Sequence, residues 1–325
     1  MELSYADIKA AADRIGGRIR PVALAAGDRA DTAGAPADPG ELWFALEFMQ
    51  HTGSFKARGA LNFIRSHRDA GTLPEAGVTI ASGGNAGLAC AWAAAGQGVT
   101  ATVFLPATAP AVKVDRLHGY GAQVRLLGEQ YADALAACHE FAATSGALMS
   151  HAYDNPLIAA GAGTLMAEIH QRLPRLDTVV VAVGGGGLFA GIATAAHHYG
   201  IHTVAVEPEH CRALNAALAA GEPVDVEVNS VAADSLGARR ATELAITAAQ
   251  RSGARSVLVT DEQIIATRRI LWAERRLAVE HAAATALAAL TDEDIEPGRG
   301  YRPEPGERVC IILCGANTDP SDLLR

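Results

Sequence analysis

Short apolar runs recur along the chain, and most are followed by a segment whose apolar positions return every three or four residues. The short runs fall at 42–46, 78–80, 99–105, 123–127, 148–151, 178–183, 203–206 and 308–313, and they read as strands. The helical periodicity falls at 54–66, 86–95, 113–120, 133–144, 164–172, 188–199, 239–251, 261–273 and 280–290. Strand and helix alternating in this way predict an α/β fold built on parallel sheets, because a parallel pair of strands needs a crossover helix between them. Two stretches break both periodicities. Residues 27–40 and 297–306 are rich in Pro and Gly and read as exposed linkers. No internal repeat of 20–50 residues and no low-complexity tail interrupts the pattern.

Composition narrows the class. Of 325 residues half are hydrophobic and only 19% are charged, so a sizeable core is available and wholesale disorder is excluded. No apolar run approaches the roughly 18 residues of a membrane span. The start, Met1-Glu2-Leu3-Ser4, lacks the basic flank and apolar stretch of a secretory signal. A net charge of −9 without a Lys/Arg cluster argues against a nucleic-acid or anionic-membrane partner. Five cysteines, Cys90, Cys138, Cys211, Cys310 and Cys314, form no CxxC pair. That implies a reducing compartment, the cytoplasm, and neither a disulfide framework nor a structural zinc site.

Three segments carry candidate chemistry. The run Val179–Val183 feeds Gly184-Gly185-Gly186-Gly187 and then an apolar helix starting near Leu188. A glycine loop between strand and helix collects backbone N–H groups at the positive end of the helix dipole and lets a phosphate approach them. The bland alternative is a tight turn. A second alternative is a dinucleotide site: Gly185-x-Gly187-x-x-Ala190 with Glu207 20 residues after Gly187 fits that spacing. The second segment, Ala81-Ser82-Gly83-Gly84-Asn85-Ala86-Gly87, is again strand–loop–helix and suits a carboxylate, or else is a plain helix cap. The third is Gln50-His51-Thr52-Gly53-Ser54-Phe55-Lys56-Ala57-Arg58-Gly59-Ala60. Its small and apolar neighbours would desolvate the Lys56 amine, making it a nucleophile able to form an imine, although a lone helical lysine is usually solvated. His197, His198, His202 and His210 lack metal-ligand spacing. Arg268, Arg269, Arg275 and Arg276 with Glu274 read as a solvated or interface face, and Cys310 as core.

Taken in order, these segments resemble the fold-type II pyridoxal-phosphate enzymes, in particular the serine/threonine dehydratase and serine racemase family. Gln50-x-Thr52-Gly53-Ser54-Phe55-Lys56-x-Arg58-Gly59-Ala60 is similar to that family's Schiff-base lysine segment. Ser82-Gly83-Gly84-Asn85 is similar to its substrate loop, and Gly184–Gly187 with Leu188 to its phosphate cup. Ala160–Thr164, Glu207-Pro208, Val259–Glu262 and Glu280 fall in family order, and Cys314-Gly315-Ala316-Asn317 is similar to the segment facing the pyridine nitrogen. The resemblance covers roughly Arg20 to the C-terminus.

What it implies is specific. The fold is that of the tryptophan synthase β type, with two lobes around mostly parallel sheets. The large cofactor lobe takes 1–67 and 150–325, and the small substrate-loop lobe takes 68–149. Lys56 is the catalytic residue. Ser82, Gly83, Gly84, Asn85 and Ala86 bind substrate. Phe55, Lys56, Asn85, Gly184, Gly185, Gly186, Gly187, Leu188, Glu280 and Cys314 bind pyridoxal 5'-phosphate. The implied reaction is β-elimination of L-threonine or L-serine to a 2-oxo acid and ammonia by a homodimer. A racemase or β-replacement enzyme of the same fold, a nucleotide-binding dehydrogenase and an inactive binding paralogue are the alternatives. Gly83 stands where family racemases carry a serine, which favours elimination over racemisation. Ala86 replaces a histidine common in bacterial threonine dehydratases. Relatives hold a cation through the Glu of Glu207-Pro208 and an Asp about six residues on; here that second position is Ala213, so Glu207 alone is a weak ligand. No C-terminal effector domain is expected after the Asn317 segment.

Overall fold

A computed structural model of the chain describes residues 2–27, 40–291 and 299–324. Residues 28–39 of the first predicted linker and 297–298 of the second lie outside the described residues. In chain order the first half contains α1 (Tyr5–Ile15), β1 (Leu24–Ala26), β2 (Leu42–Ala45), α2 (Lys56–Asp69), β3 (Val78–Ala81), α3 (Asn85–Ala95), β4 (Ala101–Leu105), α4 (Ala111–Gly119), β5 (Gln123–Leu126), α5 (Tyr131–Ser145) and β6 (Leu148–Met149). The second half continues with α6 (Pro156–Arg172), β7 (Thr178–Ala182), α7 (Gly187–His198), β8 (His202–Pro208), α8 (Ala213–Ala220), α9 (Ala233–Leu236), α10 (Glu243–Ser252), β9 (Arg255–Val259), α11 (Asp261–Arg275), α12 (His281–Ala288) and β10 (Val309–Ile312).

Two sheets result. A six-stranded sheet runs β1-β2-β10-β7-β8-β9, parallel throughout except for the antiparallel edge strand β1. A four-stranded parallel sheet runs β5-β4-β3-β6. Every residue of β3, β4, β7 and β10 is buried, as expected of parallel strands covered by helices on both faces. Each sheet has its own main core, one around Phe44, Phe189 and the β7–β10 valines and isoleucines, the other around Phe63, Ile80 and Val103.

α6 begins at Pro156, eight residues before the periodicity indicates. Asn155 caps it, its Oδ1 accepting from Leu157 N at 2.8 Å, and Pro156 occupies the first turn, where no N–H is needed. Its small residues hide the pattern because they serve close approach instead of burial. A Cβ on Gly161 would lie 2.7 Å from the Arg58 carbonyl oxygen, and one on Gly163 2.8 Å from that of Gly191. The reading of Arg268 as a solvated position is wrong. Its side chain is buried, with Nε donating to Val279 O at 2.7 Å and the guanidinium held by Thr318, the Asp319 carbonyl and Asp322. A guanidinium has enough donors to be buried when a carbonyl-rich turn wraps it, and helical spacing alone does not show that turn.

Candidate active site

Loops that follow strands of both sheets line a cavity of about 770 Å³. Three strand ends and one helix N-terminus deliver its chemistry, as the crevice at the carboxyl ends of parallel strands does generally.

Lys56 opens α2, and its Nζ donates to the Ala152 carbonyl at 2.6 Å while lying 4.8 Å from the centre of the Phe55 ring. Deep placement in the protein pulls its amine down to about 8, partly offset by the Cys314 and Glu280 side chains. The turn that carries it is anchored by Arg58, which is wholly buried. Arg58 pairs with both oxygens of Glu47, at 2.7 and 3.1 Å, and both of Glu168, at 2.6 and 3.1 Å. A buried guanidinium shared by two carboxylates fixes one orientation of the segment, because losing either partner leaves an uncompensated charge.

The glycine loop follows β7. Gly186 is the residue before α7 and has φ +100°, a left-handed conformation in which a side chain is strained. No side chain caps α7, so the first-turn N–H groups of Gly187 and Leu188 have no intrahelical acceptor. Tyr153 packs over the loop: a Cβ on Gly185 would come within 2.3 Å of its ring and one on Gly187 within 2.8 Å of its carbonyl oxygen. Tyr153 also stands 6.0 Å from Lys56 Nζ. It is a cavity residue that the motifs do not reveal, since it lies in the turn between β6 and α6.

The loop 82–84 follows β3. It is not a side-chain cap either. Gly84 precedes α3 without one, and the Asn85 side chain turns away, donating from Nδ2 to both Glu280 oxygens at 2.9 and 3.0 Å. The Glu280 carboxylate also accepts from Ser235 Oγ at 2.7 Å and from Asn317 N at 2.8 Å. Asn317 in turn donates to Asn85 Oδ1 at 2.6 Å and to the Thr52 carbonyl at 2.7 Å. Thr52 sits at φ 65°, strained for a β-branched residue, and this bond helps hold it there. Glu280 and Asn317 thus lock three distant segments together. Asn317 belongs to the quoted C-terminal motif, but its bonds were not legible there. Ala86 and Leu188 line the cavity beside these loops.

Cys314 lies two residues beyond β10 and lines the cavity, 5% exposed, and burial pushes its thiol up to about 12, so it stays neutral. Glu207, by contrast, stands outside the cavity. Its oxygens accept from Leu214 N at 2.8 Å and Asn215 N at 2.7 Å, and burial raises its pKa to about 8. Both oxygens are spent on the start of α8, which removes the ribose-binding role that spacing alone offers. Among the described residues no group of three or more His, Cys, Asp or Glu is arranged to hold a metal, and no helix is long and apolar enough to cross a membrane.

Pyridoxal phosphate fits what is present: an uncapped glycine-lined helix N-terminus for a phosphate, a desolvated lysine amine for an aldehyde, and a neutral thiol at the cavity floor. Comparison with known proteins points the same way. Residues 30–315 match the family described as pyridoxal-phosphate dependent enzyme. The chain is 36% identical over 321 residues to an L-threonine ammonia-lyase of Geobacter sulfurreducens, covering 98% of this chain and 76% of that one. It is 34% identical to a phenylserine dehydratase of Ralstonia pickettii, covering 87% and 84%. The crystal structure of a pyridoxal 5'-phosphate-dependent aspartate racemase superposes with a TM-score of 0.86 at 30% identity, covering 99% and 98%. On the strength of that family match and these relatives, the chain belongs to the pyridoxal-phosphate dependent enzymes.

Proposed function

We propose that the protein is an ammonia-lyase that eliminates the β-hydroxyl of a hydroxy amino acid of the serine and threonine type, giving a 2-oxo acid and ammonia. The observation that carries this is the Lys56 amine, desolvated and set between the glycine cup and the loop 82–84. The names of the relatives, a threonine ammonia-lyase and a phenylserine dehydratase, support the reaction class.

In this reading the large lobe, 1–67 and 150–325, holds the cofactor and the small lobe, 68–149, brings the substrate loop. Gly184–Gly187 and Leu188 would hold the phosphate, Phe55 would flank the ring, Asn85 would meet its oxygen and Cys314 its nitrogen. When bound through Lys56, the cofactor supplies an electron sink for the charge left at Cα when its proton departs. The Lys56 amine, near 8, is partly neutral at physiological pH, so once displaced by the substrate amine it takes that proton at Nζ. N–H groups at the start of α3, with Ser82, orient the substrate carboxylate. Cys314, whose thiol burial keeps neutral, would meet the ring nitrogen and leave that sink modest, which would favour prompt loss of the β-hydroxyl. Glu280 receives no proton in this scheme; it orients Asn85. Gly83 offers no proton to the opposite face of Cα, and a Cβ there would lie 2.6 Å from the Leu105 side chain, so the space is already filled by a hydrocarbon.

Five buried free cysteines support a cytoplasmic location.

The test is purified holoenzyme with L-serine and L-threonine. The expected outcome is 2-oxo acid and ammonia in equal amounts, and neither with Lys56→Ala, which also loses the visible absorbance of bound cofactor. D-serine accumulating faster than pyruvate at early times would overturn the elimination reading.

A further inference from the structure

We infer that Asp261, which lies outside the cavity, is a positioning residue for the cofactor site: it holds the segment 221–242 in place against the glycine cup. The inference concerns the cofactor site itself and goes beyond the elimination reading, since it applies to whichever substrate that site takes.

From residue 221 to 242 the only regular element is the four-residue α9. Such a stretch has few backbone partners of its own and must be held by others. It is nevertheless one wall of the active site, because residues 233–239 line the cavity. Two contacts give that wall its importance. A Cβ on Gly184 would lie 3.1 Å from Leu236 Cα, so the backbone of the segment packs directly against the first glycine of the cup. Ser235 Oγ donates to Glu280 at 2.7 Å, on the carboxylate that also accepts from Asn85. The two ends are fastened through backbone groups. Asn229 N donates to the His210 carbonyl at 2.9 Å, and Thr242 N to the Gly185 carbonyl at 3.1 Å.

Between those ends the anchor is Asp261. Its Oδ1 accepts from Ser230 Oγ at 2.6 Å and its Oδ2 from Val231 N at 3.0 Å, so both oxygens are given to the segment. Asp261 opens α11, where an acidic residue ordinarily serves the helix dipole and the free N–H groups. Here that start is already capped. Thr260 Oγ1 accepts from Gln263 N at 3.2 Å, and Gln263 Oε1 accepts from Thr260 N at 2.7 Å. The Asp261 carboxylate is not needed for the cap and reaches sideways instead. What it grips is carried onward by short backbone bonds. Ala233 N donates to Ser230 O at 3.0 Å, and Ser235 N and Leu236 N both donate to Ala232 O, at 3.1 and 2.8 Å. Residues 230–236 thus form one bonded unit, and the place of Ser230 sets those of Ser235 and Leu236. The remaining tie of α9, Asp234 to Lys113 at 3.1 Å, joins two exposed side chains and contributes little.

The experiment takes two readouts from the same variants. One is the dissociation constant of pyridoxal 5'-phosphate, followed by the visible absorbance of bound cofactor. The other is the rate of tryptic cleavage of the holoenzyme after Arg239 and Arg240, both exposed in the segment. In Asp261→Ala the dissociation constant should rise by about 10-fold, the effect of losing a hydrogen bond to a charged group. Cleavage at the two arginines should quicken by about the same factor, with cleavage after Arg65 and Arg68 in α2 unchanged. Asp261→Asn still offers one oxygen and an N–H to the same partners and should recover most of both. Ser235→Ala should weaken the cofactor too, and combining it with Asp261→Ala should cost less than the two factors multiplied, because one effect passes through the other. If Asp261→Ala does not fold, Ser230→Ala removes one of the two bonds and should raise both readouts by about threefold. Unchanged cofactor affinity in these folded variants, fully multiplicative effects with Ser235→Ala, or cleavage that rises equally in α2 would overturn the inference and leave Asp261 a general support of the fold. Neither readout needs turnover, so a failure here is distinct from a failure of the elimination reading.

Discussion

Three of the strand–loop–helix units look alike in outline and differ in what sits at the helix start. The β7–α7 loop, Gly184–Gly187, is closed by its own protein. A Cβ at Gly186 would lie 2.3 Å from that of Ala245, and Gly184, Gly185 and Gly187 also face neighbours that leave no ordinary room. The β3–α3 loop is open at Gly84 but not at Gly83, where a Cβ would lie 2.6 Å from the Leu105 side chain. Nothing lies within 4 Å of a Cβ on Gly84, whose φ of −96° suits any residue. In the β8–α8 unit the Glu207 side chain reaches from the strand end and occupies the N–H groups of α8 itself. The first two helices have no side-chain cap and border the cavity; the third has one and does not. Glycine in the β7–α7 loop is a packing requirement, Gly84 in the β3–α3 loop keeps the approach to α3 clear, and an uncapped start separates both from a structural turn.

The contrast breaks most sharply at Gly186 and Gly84. Gly186→Ala combines a left-handed backbone with a hard contact, and the expected loss is about 2–4 kcal/mol of stability with weakened cofactor retention. Gly84→Ala should change stability by less than about 0.5 kcal/mol and keep the cofactor, while raising KM for the amino acid. Urea titration and cofactor absorbance of both variants settle this; a stable, cofactor-loaded Gly186→Ala would show that the cup is not held by packing.

Glu280 ties the two loops through Asn85 and Ser235, and its charge raises the Lys56 amine that burial lowers. The folded-state pKa of Lys56, about 8, lies below its ordinary value, so the neutral, cofactor-capturing amine grows in as pH rises through 8. The rate at which apoprotein captures pyridoxal phosphate should follow that rise. In Glu280→Gln the raising charge is gone, and the midpoint should move to lower pH. Stopped-flow capture rates across pH 6–10 measure both, and an unmoved midpoint would mean that Glu280 acts on Lys56 only through geometry.

At the capped unit the effect should fall on stability alone. Glu207→Ala leaves the N–H groups of Leu214 and Asn215 unpartnered, at a cost of about 1–3 kcal/mol, with cofactor binding unaltered. Denaturation midpoints with and without cofactor check it; a lost cofactor signal in folded protein would give Glu207 a role in the site.

By itself the sequence determined the α/β alternation, the two glycine loops and the lysine segment, because these are local: a buried parallel strand is a continuous apolar run, and a glycine loop is visible as glycine; that neither helix start is capped came from the structure. Boundaries failed where small residues replace apolar ones, as in α6, whose Gly161 and Gly163 exist so that α2 and α7 can approach. The tertiary structure alone decided which polar side chains meet. Arg268 pairs with a turn more than 40 residues on, and Asn317 bonds Asn85 and Thr52 from far along the chain. Arg116 and Tyr153 become cavity residues only when two lobes close on one another. Hydrogen bonds between distant segments leave no periodicity in a sequence, since they depend on where folded elements end and not on what lies beside each residue in the chain.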